Sequence, residues 1–297
     1  MNIKRFFLTS LIFIFLSTSL FSGTALEDFT ARLENYSAQL NKVIPNAATE
    51  QNVYSDAWIG NFFPSSPMHY AIGIEGGLTQ LNMEDFSSAA RKIDIFNVPE
   101  TFSFPTLGIN GKMGGFGIPF DFGVSFFTFD TSKVGRDIKG LDIMLFVLGG
   151  NIRFAVLTGQ GAWPSLSLGA SYFYSNSSLA TSASDSSMNF RSEVHTISGE
   201  VQLSKKFIFV TPFVGFRAIF VKADTSYSWK SASPLQNGGT PVYSSDGKIT
   251  KELDADFIPQ IFGGLGMTMG LIQLDTNFSY DFKNEIWNGG VSIRFQM

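Results

Sequence analysis

The chain has 297 residues, among them 32 Phe, 29 Gly and no Cys, with only 15% charged residues and a formal net charge of −4. Soluble domains average about 25% charged residues, so this composition is poor in the material of an ordinary water-facing surface. The acidic balance gives no nucleic-acid partner a reason to bind, and the missing cysteines exclude disulfides and a lipoprotein anchor.

Lys4 and Arg5 precede an apolar run from Phe6 to Leu20, and Gly23 and Ala25 then stand at the spacing of a cleavage site. This reads as a secretory signal peptide over residues 1–25, cut after Ala25. The alternative, an uncleaved anchor, is disfavoured because the run is short of the roughly 20 residues that span a bilayer as a helix.

Residues 26–66 form an N-terminal helix and linker. Phe29, Leu33, Tyr36, Leu40 and Val43 recur at helical spacing, and Pro45 is expected to stop the helix. Asn46–Pro67 is irregular, aromatic and ends in "PSSP". The apolar stripe could plug a barrel, lie on a membrane leaflet or meet a partner helix. A polar lumen would cover it poorly, which favours a periplasmic mouth or an interface.

From residue 67 the period changes to two. In "IQLDTNFSYDF" (272–282), Ile272, Leu274, Thr276, Phe278, Tyr280 and Phe282 share one face, while Gln273, Asp275, Asn277, Ser279 and Asp281 share the other. Similar alternation marks ten strands: 68–79, 101–112, 118–130, 140–158, 165–175, 190–204, 207–222, 254–269, 272–282 and 286–296. Connections alternate in length. Gln80–Glu100, Thr131–Lys139, Asn176–Asn189 and Ala223–Leu253 are long and polar, whereas "MGGFG", "GQGAWP", "KK" and "GL" are short.

A soluble sandwich would alternate too. Three features favour a membrane barrel instead. The polar face carries Ser, Thr, Asn and Gln with few charges. Aromatic residues gather near strand ends, with Tyr172, Tyr174, Tyr280, Phe282 and Trp287 at the long-loop rim and Tyr70, Phe120, Trp163 and Phe295 at the other. Several strands also exceed the 9–11 residues that cross a bilayer. The expected fold class is all-β, an antiparallel transmembrane β-barrel of about ten strands over residues 67–297, with a short N-terminal helical segment. Since hydrocarbon tolerates no open sheet edge, the last strand must pair with the first.

The closing "WNGGVSIRF" (287–295) resembles the C-terminal strand that the outer-membrane barrel assembly machinery reads, with Asn288, Gly290, Ile293 and Phe295 in the matching places and Gln296 and Met297 added beyond them. The chain as a whole looks like outer-membrane barrel families of this length. That resemblance implies export to the cell outer membrane, with its lipids and the assembly machinery as partners.

Glu75, Asp121, Arg153, Arg217, Asp275 and Arg294 fall on the lumen face. They either line a path for a small solute, as charge rings do in pores, or pair and fill a narrow lumen, which the small strand number favours. If Phe282 faced Trp287 across the last hairpin, Asp275 would stand opposite Arg294. His69 and His195 are the only histidines. His195, near Glu193 and several Ser, is compatible with a hydrolase without being specific for one, and no metal or cofactor motif appears. The expectation is therefore a non-enzymatic barrel: a narrow pore or transport protein for small or apolar solutes, with a surface-interaction barrel acting through its long loops as the alternative.

Overall fold

The computed structural model describes residues 31–32, 34–36, 38–50, 52–61, 68–92, 98, 100–115, 118–131, 141–159, 161–183, 186–230, 236–237, 240–241 and 247–297. The expected signal peptide lies outside them.

Ten long strands close on themselves. They are β1 His69–Asn82, β2 Thr101–Gly114, β3 Phe120–Asp130, β4 Leu141–Thr158, β5 Ser165–Ala183, β6 Ser186–Ser204, β7 Val210–Lys230, β8 Gly247–Met269, β9 Ile272–Asp281 and β10 Ile286–Gln296. Every neighbouring pair is antiparallel, and the seam is closed by β10 against β1, from Ala71↔Gln296 to Leu78↔Gly289. Met297 prolongs it: its N–H donates to the Tyr70 carbonyl at 2.9 Å, and the Tyr70 N–H donates back at 2.8 Å.

The last hairpin differs in register from expectation. Tyr280, not Phe282, faces Trp287. Asp281 causes the shift by holding the turn, since its Oδ1 accepts the backbone N–H groups of Lys283 and Asn284. Two of the expected long loops are also largely strand. β5 and β6 run on to the pair Ala183↔Ser186, and β7 and β8 reach Trp229↔Gly247. The β1–β2 connection holds a helix, α2 (Glu84–Lys92), which the sequence reading took as loop.

The extensions have a physical cause that the composition hid. Along β7 the side chains alternate strictly, but the chemistry of the two faces exchanges partway up. Near the short-turn end Val214, Phe216 and Phe220 point outward and are exposed, while Thr211 and Arg217 are buried. Higher up, Ile219, Val221, Ala223, Tyr227 and Trp229 are buried and Lys222, Asp224 and Lys230 are exposed. On β6 the exchange falls at His195: Ile197 and Leu203 are exposed below it, and Val194, Phe190 and Met188 are buried above it. The lower barrel is therefore apolar outside and polar inside, the arrangement of a lipid-embedded wall. The upper barrel is apolar inside and polar outside, like a water-soluble domain.

Tyr172 and Tyr174 mark the boundary beside His195, whose ring lies 5.4 Å from that of Tyr174 and whose Nδ1 is 2.8 Å from the Tyr172 hydroxyl. Tyr280 and Trp287, with ring centroids 4.4 Å apart, mark it across the barrel. Amphipathic rings at such a level are expected of a headgroup interface.

Candidate functional site

The lumen is occupied by the chain's own N-terminal segment. A helix, α1, covers residues 38–50 and continues through Pro45, contrary to the expected stop there. Pro45 withholds one helical N–H. Side chains reinforce the turn around it: Asn46 Nδ2 donates to the Lys42 carbonyl at 2.8 Å, and Thr49 Oγ1 donates to the Pro45 carbonyl at 3.0 Å.

The apolar stripe does not sit at the short-turn mouth. Phe29 and Leu33 lie outside the described residues; Tyr36, Leu40 and Val43, with the neighbouring Ile44, are buried inside the upper barrel, in one cluster with Phe127, Phe129, Leu145, Phe190, Ile219 and Trp229. The expectation of a uniformly polar lumen was wrong in its upper half, and that half covers the stripe. α2 completes the cluster with Phe86, Ala89 and Ala90, and the Phe86 ring lies 4.8 Å from Tyr36.

Alongside and below the cluster the segment descends by polar contacts with one strand after another. Asn41 Nδ2 donates to Thr225 Oγ1 on β7 at 3.1 Å, and its Oδ1 accepts from Ser192 on β6 at 2.7 Å. Asn46 Nδ2 donates to Asp281 on β9 at 3.0 Å, while its Oδ1 accepts from Gln260 on β8 at 2.7 Å. Tyr54 Oη donates to Asn110 on β2 at 3.0 Å. Ser55 Oγ and Asp56 Oδ2 both accept from Gln273 Nε2, at 2.6 and 2.9 Å. The N–H of Ala57 donates to Ser204 at 2.9 Å, and that of Ile59 to Asp121 at 3.2 Å. The chain thus passes from the long-loop end to the short-turn end inside the wall before β1 begins.

All six charged residues expected on the lumen face are buried there. Arg153 makes a two-point ion pair with Asp121, with Nε and Nη2 each 2.9 Å from a carboxylate oxygen. This fork geometry is among the strongest side-chain pairings. Arg217 pairs with Glu200 at 3.0 Å and donates to Gln260 at 2.9 Å. Arg294 is held by Glu75 at 3.2 Å and by Asp275. Asp275 stands opposite Ser292 rather than Arg294, so that ion pair is diagonal and survives the two-residue register shift. Glu75 also accepts from Asn110 and Asn277, at 2.9 and 3.0 Å.

Sequence reasoning missed Lys112 and Glu200, although both lie on the alternating lumen face. It also missed Tyr54, whose ring stacks under two cations, Lys112 Nζ at 4.3 Å and the Arg294 guanidinium at 3.8 Å. Alternation marks the first two. Nothing in the sequence marks Tyr54, because its role depends on the threading.

The proposed assembly strand divides by parity. Asn288 is buried, Ile293 and Phe295 are exposed on the outer wall, and a Cβ at Gly290 would come within 2.6 Å of Asn277 Oδ1 in the lumen. His69 is buried at the start of β1. Among the described residues no cluster of His, Asp or Glu has the makings of a metal site.

A closed antiparallel barrel with an apolar belt outside and ion pairs within defines an integral membrane β-barrel. No family profile matches the chain, and no curated protein sequence matches it. Solved structures of similar fold include the outer membrane protease OmpT from Escherichia coli, at 8% identity over 77% of this chain and 96% of that one, with a TM-score of 0.46. The translocator domain of autotransporter NalP from Neisseria meningitidis is similar at 8% identity over 89% of this chain and 96% of that one, with a TM-score of 0.39. Neisserial surface protein A (NspA) is similar at 8% identity over 78% and 97%, with a TM-score of 0.26.

Proposed function

We propose that the protein is an outer-membrane transport barrel for small or apolar solutes, held shut at rest by its own N-terminal segment. The observation that carries this reading is the column of contacts from Tyr36 to Ile59 inside the wall. Its lower part is fastened by hydrogen bonds between polar groups. Those between neutral groups are each worth about 0.5–1.5 kcal/mol net where water replaces them, and those to Asp56, Asp121, Asp281 and Arg294 about 1.5–3 kcal/mol, so a shift of the segment would break separate contacts one after another without unfolding the barrel. The longer connections face outward, as is usual for such barrels, and displacement would expose the lumen charges to a passing solute.

Conductance in a planar bilayer tests this. Wild-type protein is expected to stay closed, and deletion of residues 31–61 to give open steps. Heat-modifiable gel mobility checks that the deleted barrel has folded. As an independent arm, Asn46→Cys with Gln260→Cys, bridged by a short bis-methanethiosulfonate reagent because the two side chains meet only at their tips, should lock the segment to β8 and abolish any solute flux until a reductant is added. Open wild-type steps, or a folded deletion variant that does not conduct, would overturn the reading.

The polar rim of β5 to β8 above the aromatic boundary supports the second reading, a surface-interaction barrel. A folded, non-conducting deletion variant would favour it.

A further inference from the structure

The upper half of the β1–β2 hairpin leaves the wall. β1 stays paired to β2 as far as Asn82↔Thr101, yet it parts from β10 beyond Leu78↔Gly289. β2 parts from β3 beyond Gly108↔Phe127, while β3 goes on pairing with β4 to Asp130↔Met144. Pro105 lies on the stretch of β2 that has a partner on one side only, which is where strands accept proline. The arm ends in α2, which is buried against Tyr36 inside the barrel.

Where the arm turns away, the outer wall holds a recess of about 1000 Å³. Leu78, Leu107, Phe278 and Val291 line it with exposed apolar side chains, and Gly76 and Gly289 leave its floor bare. On β9 it centres on Asn277, four residues below Asp281. That is about 10 Å beneath the hairpin end at the rise and tilt of barrel strands. It therefore sits at acyl-chain depth, just under the Tyr280–Trp287 pair.

We propose that this recess takes one acyl chain of a surrounding bilayer lipid. Continuity with the lipid-facing wall, depth and apolar lining select a hydrocarbon chain. The inference rests on membrane insertion and is independent of the transport reading.

The test uses the full chain in phosphatidylcholine vesicles that contain a phosphatidylcholine with a photoreactive diazirine near the end of one acyl chain. After irradiation, adducts should concentrate on residues 76–78, 107 and 289–291 above the level on the equally exposed wall at Leu168 and Ile197. A Cβ at Gly76 or Gly289 would meet nothing closer than 3.7 or 3.6 Å, so Gly76→Leu with Gly289→Leu raises side chains on the floor, where the acyl chain would lie, without displacing backbone. That double variant should lose the excess labelling, and Ala170→Leu on the far wall should keep it. Even labelling around the barrel, or excess labelling that survives the double variant, would overturn the proposal. So would loss of the excess on adding palmitate, which would point to a free fatty acid. Co-flotation with the vesicles separates these outcomes from a failure of insertion, which would leave no adducts anywhere.

Discussion

The guanidinium of Arg294, on the strand that closes the barrel, lies 3.8 Å over the ring of Tyr54, in the segment that fills it. The same guanidinium donates to the Val53 carbonyl at 2.5 Å and to Glu75 at 3.2 Å, and pairs with Asp275. One side chain thus joins β1, β9, β10 and the lumen segment. Arg294→Met leaves two buried carboxylates without their cation, and breaking a buried pair in this way costs about 3–5 kcal/mol. The urea midpoint of the barrel in detergent should fall accordingly, whereas an unchanged midpoint would deny Arg294 this role.

Asn41 and Asn46 should hold α1 without holding the barrel. Replacing both with Ala removes four side-chain bonds to the wall, each worth about 0.5–1.5 kcal/mol net or somewhat more to the charged Asp281, while Ser192 and Thr225 keep each other and Gln260 and Asp281 keep Ser279 and Asn284. Hydrogen exchange over residues 38–50 should accelerate while β5 to β7 keep their protection. Equal acceleration everywhere would mean that segment and wall open together.

The direction of threading predicts sidedness. The chain lacks cysteine, so single introduced thiols report without background. Asn35→Cys, exposed at the long-loop end, should react with an impermeant maleimide on intact cells. Ala162→Cys, exposed in the β4–β5 turn, should react only after the outer membrane is permeabilised. The reverse pattern would invert the barrel.

The level at which the two faces exchange can be read with lysine. Ile197→Lys puts a charge on the outer wall below His195, where the penalty is about 2–4 kcal/mol at the bilayer midplane and less toward its edge. Ser187→Lys on the exposed upper face of the same strand should cost within about 0.5 kcal/mol. Unfolding free energies in lipid vesicles would separate the two, and equal costs would remove the proposed boundary.

Phe86 anchors the arm's helix. Phe86→Ala should cost about 3–5 kcal/mol if the loss is global. Because α2 caps the arm, the expected result is instead local, with faster limited proteolysis between residues 83 and 100 and an intact barrel band.

Alternation located all ten strands, because lipid and lumen impose opposite chemistries on adjacent side chains, and the closure of β10 on β1 followed from the need to pair every sheet edge in hydrocarbon. It failed where the outside changes from lipid to water. Asn176–Asn189 and Ala223–Leu253 looked like loops since Ser, Asn and Lys replace Phe and Ile on the outer face. The inward residues Leu179, Met188, Phe190, Tyr227 and Trp229 kept the same period throughout. The six lumen charges were legible from parity. Their partners in the segment, Tyr54 and the Val53 carbonyl for Arg294 and the Ile59 N–H for Asp121, were not, since a sequence contains no trace of what a segment is threaded through. The α1 stripe was read correctly as needing cover, and its cover was the apolar upper lumen.

The threading also constrains the order of events in biogenesis. Residues 38–59 touch β2, β3 and β6 to β9 by side-chain bonds, and the wall around them is sealed by the pairing of the first strand with the last. A finished ring would have to admit a polar strand of chain lengthwise past packed ion pairs. An unzipped one can simply wrap around it. The segment is therefore best captured while the β1–β10 seam is still open, which makes it a mandrel on which the sheet curls before it becomes a stopper.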